Sequence, residues 1–171
     1  MFRQFRRYLT RHDPLHHWRS HLKSTGGAVL GLAAIGGLAA WSGLPLLMAP
    51  LGPTALALSA HPESSSAQPI NIFGGYFIAA AVASGSELLL PHTAWAAAIA
   101  VGVVMLAMLL ARVNHPPAAA VPLAVFASPI APQTLFEVLL AGCACLVAVG
   151  VVMHRLPPRV HYPRLRDDAA D

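Results

Sequence analysis

Between Ser24 and His154, most of the 171-residue chain, only Glu63, Glu87, Arg112 and Glu137 carry a formal charge. A water-facing surface needs many more. Soluble domains average about 25% charged residues, against 11% in this chain, which is also 56% hydrophobic. That balance excludes a disordered chain and an ordinary soluble enzyme, and leaves an integral membrane protein whose first partner is the lipid bilayer. The net charge of +4 does not point to nucleic acid as a partner. Six Lys/Arg lie before Ser24 and four Arg after His154, so the basic residues flank the apolar block as orientation signals do. With positive charge at both ends, both termini are expected in the cytoplasm, which requires an even number of crossings.

The hydrocarbon core is about 30 Å thick, so a spanning helix needs about 20 apolar residues. Four segments meet this: 24–43, 70–90, 94–112 and 134–153. Two others, 44–60 and 115–128, are shorter and broken by Pro45, Pro50 and Pro53 in the first and by Pro116, Pro117 and Pro122 in the second. Irregular backbone at membrane depth survives only where protein or a wet cavity satisfies it, so both read as re-entrant elements or half-helices. The expected fold is therefore all-α: a polytopic membrane bundle of four full transmembrane helices plus two short Pro-broken ones. A basic interfacial tail (1–23) precedes the transmembrane domain (24–154), and a cytoplasmic tail (155–171) follows it. In the first tail, Phe2, Phe5, Tyr8 and Trp18 suit the headgroup level. If the short elements are hairpins the chain crosses four times; if they span, it crosses six times and Arg112 becomes cytoplasmic.

The short segments correspond to one another. Leu51-Gly52-Pro53-Thr54-Ala55 aligns with His115-Pro116-Pro117-Ala118-Ala119, and the helices on either side then fall roughly in register. The chain reads as two units of long, broken and long helix, an internal two-fold repeat. Matching broken segments in two halves are a pointer to a transporter's binding site. Small residues four apart, Gly27/Gly31, Ala33/Gly37 and Gly75/Ala79/Ala83, allow close helix approach, either within the monomer or at a dimer seam. Cys143 and Cys145 sit two apart in an apolar run and read as small core residues.

Asn114-His115-Pro116-Pro117 reads as a helix start, since Asn suits an N-cap and proline suits the first turn. The positive end of that helix, with the N–H groups of Ala118 and Ala119, suits an anion. At the matching start, Gly52-Pro53-Thr54, the Thr54 hydroxyl adds a neutral donor. Two such starts facing one another would hold an anion without a fixed charge; the alternative is that the prolines only shape a turn. Arg112 is either a snorkelling anchor or the anion's source of positive charge. Asn71 either caps its own helix or faces the site, and Gln68 reads as a solvated loop residue. Glu87 is an intramembrane carboxylate and a functional candidate on that ground. Glu137 is expected in the first turn of the last helix, complementing its dipole. His12, His16, His17 and His21 include one pair four apart, but no carboxylate or Cys joins them. They read as interfacial residues, and no metal or cofactor is expected.

His115-Pro116-Pro117, after an Arg/Asn helix end and before an alanine run, resembles the signature of the HPP family of integral membrane proteins. Met48-Ala49-Pro50-Leu51-Gly52 and Ala67-Gln68-Pro69-Ile70-Asn71-Ile72-Phe73-Gly74-Gly75 resemble two further stretches of that family, in the same order. The resemblance implies four transmembrane helices and, by analogy with plastid and cyanobacterial members, nitrite transport. Many members carry His where this chain has Tyr76, and a basic residue where it has Ile70. On this resemblance a neutral His115 donates to nitrite, and its protonation couples a proton to the anion; the alternative is a hydrogen-bonded structural His at a helix start. The expected function is a channel or transporter for a small inorganic anion in a bacterial inner membrane, with no catalytic activity. A structural or partner subunit of a membrane complex is the alternative. A unit this small is expected to need further copies to seal a pathway, so a homo-oligomer is a candidate assembly.

Overall fold

The computed structural model describes residues 18–164. Among them the chain is all-helical: α1 (Trp18–Ser42), α2 (Leu51–Ala60), α3 (Pro69–Leu89), α4 (Ala94–Leu110), α5 (Val121–Ala127) and α6 (Pro132–Arg155). Short 3-10 turns lie at Ser65–Ala67 and Pro116–Ala120. Three helices, α1, α3 and α6, are long and apolar enough to cross a membrane. Of the four full spans expected, these three are borne out and the fourth is not confirmed. The 17 residues of α4 rise about 26 Å at 1.5 Å each, short of the roughly 30 Å hydrocarbon core. The expected boundary between tail and span at residue 24 falls inside α1, which already includes Trp18. The rest of the N-terminal tail, with His12, His16 and His17, lies outside the described residues.

Close approaches fix the direction of each element. A Cβ on Gly27, early in α1, would lie 3.3 Å from Ser59 Oγ near the end of α2, and one on Gly31 would meet Leu146 late in α6. The His154 ring at the end of α6 hydrogen-bonds through Nε2 to the carbonyl of Leu58, at 2.7 Å. Lys23 Nζ donates to the carbonyls of Leu156, at 2.8 Å, and Pro158. The start of α1 and the ends of α2 and α6 thus share one end of the bundle, called here the near end. At the far end, His92 beyond α3 packs on Phe126 of α5, with ring centroids 5.4 Å apart. His115 sits toward the near end, against the Ser66 carbonyl, so residues 116–127 run from that end to the other. Residues 43–60 make the opposite passage, from the end of α1 back to Ser59. Neither short segment returns to the end it came from, which corrects the hairpin reading. Both are half-helices, each completed by turns or extended backbone, and the chain traverses the bundle six times. Long, short and long elements recur in the two halves with directions reversed.

Small residues set the packing. Gly27, Gly31, Gly75, Ala79 and Ala83 are all buried within the monomer, whereas Ala33 and Gly37 are exposed. A Cβ on Gly142 would lie 2.7 Å from Leu51 Cδ1, which is how α6 admits the start of α2. Around these approaches pack Ile35, Leu51, Ile72, Leu135 and Leu139, and Phe77 meets Phe136 edge-on at 5.4 Å between centroids. Cys143 belongs to this core and Cys145 is half-buried, both as free thiols. Glu137 is exposed and lies beyond the first turn of α6, because that helix already begins at Pro132. Dipole complementarity therefore does not explain it.

After α6 the chain doubles back over the near end. Tyr162 Oη donates to the Ala67 carbonyl at 2.9 Å, and the Arg164 amide donates to Gln68 Oε1 at 2.9 Å. Burial pushes the Tyr162 phenol above its ordinary range. Gln68 is not a solvated loop residue. Its Nε2 donates to the carbonyls of Pro62 and Ser64, so its amide pins the turn below α3 from both sides.

A Cβ on Gly75 would stand 2.7 Å from His115 Cβ, an atom with no freedom to swing away. Gly75→Ala is expected to lower stability by about 1–3 kcal/mol, read as thermal unfolding in detergent. Gly85 lies on the same helix with nothing within 4 Å, and Gly85→Ala is expected to be neutral or stabilising by up to about 1 kcal/mol.

Candidate functional site

Proline placement decides where the polar groups end up. Pro116 and Pro117 lack N–H groups, and Pro122 lacks the one that an α-helix would direct to the Ala118 carbonyl. The Val121 amide takes that carbonyl instead, three residues back, and Pro116–Ala120 winds as a 3-10 turn. This corrects the expectation that an α-helix starts at once after Asn114. The flanking residue is His115, with extended φ, and Asn114 is exposed. The Ala118 amide is taken by the His115 carbonyl at 3.1 Å, so it is not a free donor for an anion. With α5 only seven residues long, little helix dipole is left at this start.

The side chains of the two broken segments nevertheless meet. Thr54, on the first turns of α2, and His115 are both fully buried, with Thr54 Oγ1 2.9 Å from His115 Nε2. A third group joins them from α3. The Tyr76 hydroxyl, also fully buried, lies 2.8 Å from Thr54 Oγ1 and donates to the Pro50 carbonyl at 2.7 Å. His115 Nδ1 lies 2.7 Å from the Ser66 carbonyl, which only accepts. That contact places the ring hydrogen on Nδ1 and leaves Nε2 to accept from Thr54. The rings of Tyr76 and His115 pack at 5.2 Å between centroids. Thr54 Oγ1 also lies 3.3 Å from the Pro50 carbonyl, one helical turn earlier. The result is a continuous polar chain from the 3-10 turn at Ser66, through both broken segments and α3, to Pro50. None of its members carries a formal charge, and its surroundings are apolar. Burying such groups costs free energy that only their mutual hydrogen bonds offset. Each bond contributes about 0.5–1.5 kcal/mol net, while an unmet buried partner costs about 1–3 kcal/mol.

The other expected residues lie around this chain rather than in it. Pro53 and Pro116 are exposed, Gly52, Pro117 and Ala119 are half-buried, and Ala118 packs in the core. Asn71 does not cap its own helix, where Gln68 holds the flanking position. It ties two turns together: Nδ2 donates to the Ser65 carbonyl at 2.6 Å, and Oδ1 accepts from the Asn114 amide at 3.2 Å. Arg112 is exposed, with φ of 56°. Its amide bonds Leu109 O and that of Val113 bonds Met108 O. Those two bonds form the left-handed helix terminus in which glycine is the usual residue. Arg112 therefore ends α4 at the surface, three residues before the buried His115.

Tyr76, marked in the sequence only as a departure from the family's His, was not among the expected site residues. Its signal was a phenol on an apolar helix beside Gly74-Gly75, since a buried tyrosine hydroxyl requires a partner. Glu87 lies in the last turn of α3 at the far end, with its carboxylate 4.0 Å from His92 Nε2 and away from the buried chain. Among the described residues, no group of three or more His, Cys, Asp or Glu is placed to hold a metal.

The profile of the HPP transmembrane region matches residues 13–163, nearly the whole chain. No curated protein and no solved structure gives a significant match. The chain belongs to the HPP transmembrane region family.

Holding Arg112 in the left-handed region costs about 1 kcal/mol that glycine would not incur. Arg112→Gly is expected to unfold at or above the wild-type temperature, and Arg112→Ala, which keeps the strain, at or below it. Differential scanning fluorimetry in detergent checks both.

Proposed function

We propose that this member of the HPP transmembrane region family carries a small inorganic anion, nitrite, across a bacterial inner membrane. The single observation behind this is the convergence of Thr54, His115 and Tyr76, all fully buried, where the two broken segments meet α3. Polar groups inside an apolar bundle are costly, and they mark substrate or proton pathways in membrane proteins. Hydroxyl and imidazole donors recognise a small anion without a fixed counter-charge, which lets it be released as well as bound. Arg112, exposed at the near end, is assigned the role of drawing anions toward that mouth. Transport rather than catalysis suits the cluster, whose three groups hold one another and leave no activated nucleophile.

Six crossings accompany this assignment, with both termini in the cytoplasm. The near end holds Lys23, Arg112, Arg155 and Arg159, so the positive-inside rule orients it inward. The two halves then have inverted topology, and their broken elements meet inside the protein, the arrangement of many carriers. The competing assignment is a non-transporting subunit of a membrane complex. It draws on the saturation of the same cluster, in which every donor already has a partner.

Nitrite uptake into proteoliposomes separates the two. Wild type is expected to take up nitrite above the passive leak of protein-free vesicles. His115→Ala, shown by its unfolding transition to be folded, is expected to lower the protein-dependent rate at least tenfold, about 1.4 kcal/mol or more in free energy. Well-folded wild type that adds nothing to the leak would remove nitrite transport and leave the subunit assignment standing.

A further inference from the structure

The buried polar chain is one hydrogen short. It ends on two carbonyl oxygens, those of Ser66 and Pro50, and both can only accept. Beside the longer 3.3 Å contact of Thr54 Oγ1 with Pro50 O, four links under 3 Å run between them: 2.7 Å from Ser66 O to His115 Nδ1, 2.9 Å from Nε2 to Thr54 Oγ1, 2.8 Å to Tyr76 Oη, and 2.7 Å to Pro50 O. Each has the length of a hydrogen bond and needs a hydrogen between its two atoms. A neutral imidazole, a threonine hydroxyl and a phenol supply three. With Nδ1–H on Ser66 and the Thr54 hydrogen on Nε2, the Tyr76 hydrogen serves Thr54 or Pro50, not both. The other imidazole tautomer moves the gap to the Ser66 link without closing it. One pair of atoms always meets lone pair to lone pair. A fourth hydrogen closes all four short links: Nδ1–H to Ser66, Nε2–H to Thr54, Thr54 to Tyr76, and Tyr76 to Pro50.

We propose that the His115–Thr54–Tyr76 chain is a proton-binding site, filled when His115 becomes an imidazolium, and that this proton travels with the transported anion, one for one. The second half rests on the transport reading above; the first half does not.

The Ser66 carbonyl favours the added charge, and none of the groups packed on the ring carries an opposite one. α2 presents Thr54 and α3 presents Tyr76, with Cys143 of α6 behind it. The turn at Ser66 presents a carbonyl, and Met108 of α4 packs nearby through Gly75. Arg112, the charged residue closest in sequence, lies on the surface and has the wrong sign. The missing hydrogen favours proton uptake and the missing counter-charge opposes it. An anion reaching the cluster supplies the counter-charge. Proton and anion then favour each other reciprocally, as coupled ligands must.

Tyr76→Phe separates this inference from a structural role. It deletes one acceptor and one hydrogen and leaves two links under 3 Å, Ser66 to His115 and His115 to Thr54, with two hydrogens to fill them; the longer Thr54–Pro50 contact stays open here as it does in the filled wild-type chain. The demand for an extra proton disappears. The His115 titration midpoint, read by ring-15N NMR in nanodiscs, is expected to lie about one pH unit lower in Tyr76→Phe than in wild type, a tenfold change in proton affinity. Thr54→Ser keeps all three hydrogens and is expected to titrate like wild type, which guards against a misfolded Tyr76→Phe. An unchanged or raised midpoint in Tyr76→Phe, or a Thr54→Ser that titrates like it, overturns the proton site. Nitrite and proton fluxes measured together in proteoliposomes, above the nitrous-acid leak of empty vesicles, test the coupling, with one proton expected per nitrite. Protein-dependent nitrite uptake without protons overturns the coupling and leaves transport in place. A shifted midpoint without nitrite uptake supports the proton site and overturns transport.

Discussion

Three uncharged side chains, Thr54, Tyr76 and His115, hydrogen-bond one another in the interior of an otherwise apolar bundle, and much of the architecture follows from keeping them satisfied. Water is not there to replace a lost partner, so each of these bonds is strongly directional in its consequences. Thr54 can reach His115 only if α2 begins part-way through the bundle. His115 can reach Ser66 only if the chain turns inward directly after α4. Both halves of the molecule are thereby joined at one point, through residues far apart in sequence.

That junction depends on backbone proximity that only small residues permit. Gly75 allows His115 to press against α3, and Gly142 allows the start of α2 to settle on α6. Without a hydrophobic effect between helices in lipid, such packing and interhelical hydrogen bonds hold a membrane bundle together. The near end is fastened separately. Lys23, His154, Gln68 and Tyr162 tie the start of α1, the end of α2, the Ser66 turn and the chain beyond α6 into one layer. Tyr162 and His115 bond neighbouring carbonyls of that turn, Ala67 and Ser66. The layer that closes the bundle and the buried polar chain therefore share a single piece of backbone.

Some of this was legible from the residues and some was not. The near absence of charge between Ser24 and His154 settled the membrane class, because no arrangement of such a chain can cover itself in water. Proline positions marked the two short segments as broken, since missing N–H groups interrupt a helix wherever it lies. Periodicity could not tell whether those segments turn back or pass through, because both readings bury the same residues. The fourth apolar segment is shorter as a helix than its hydropathy suggests: the apolar run extends to Ala111, while the left-handed turn at Arg112 ends α4 at Leu110.

Within the site, the pairing of Thr54 with His115 was open to sequence reasoning because the two prolyl helix starts align. The Tyr76 hydroxyl was not, since nothing local to α3 says which way a phenol points or that a carbonyl of Pro50 waits for it. Asn71 and Asn114 looked like helix caps by type, yet the structure uses them to bind one turn to another. The sequence by itself determined the solvent, the apolar segments, the places where helices break and the charge asymmetry that orients them, because these are properties of single residues and their neighbours. Only the tertiary structure decided which carbonyls close the polar chain and how many hydrogens it lacks, because a hydrogen-bond network is defined by distances between residues that the chain itself keeps far apart.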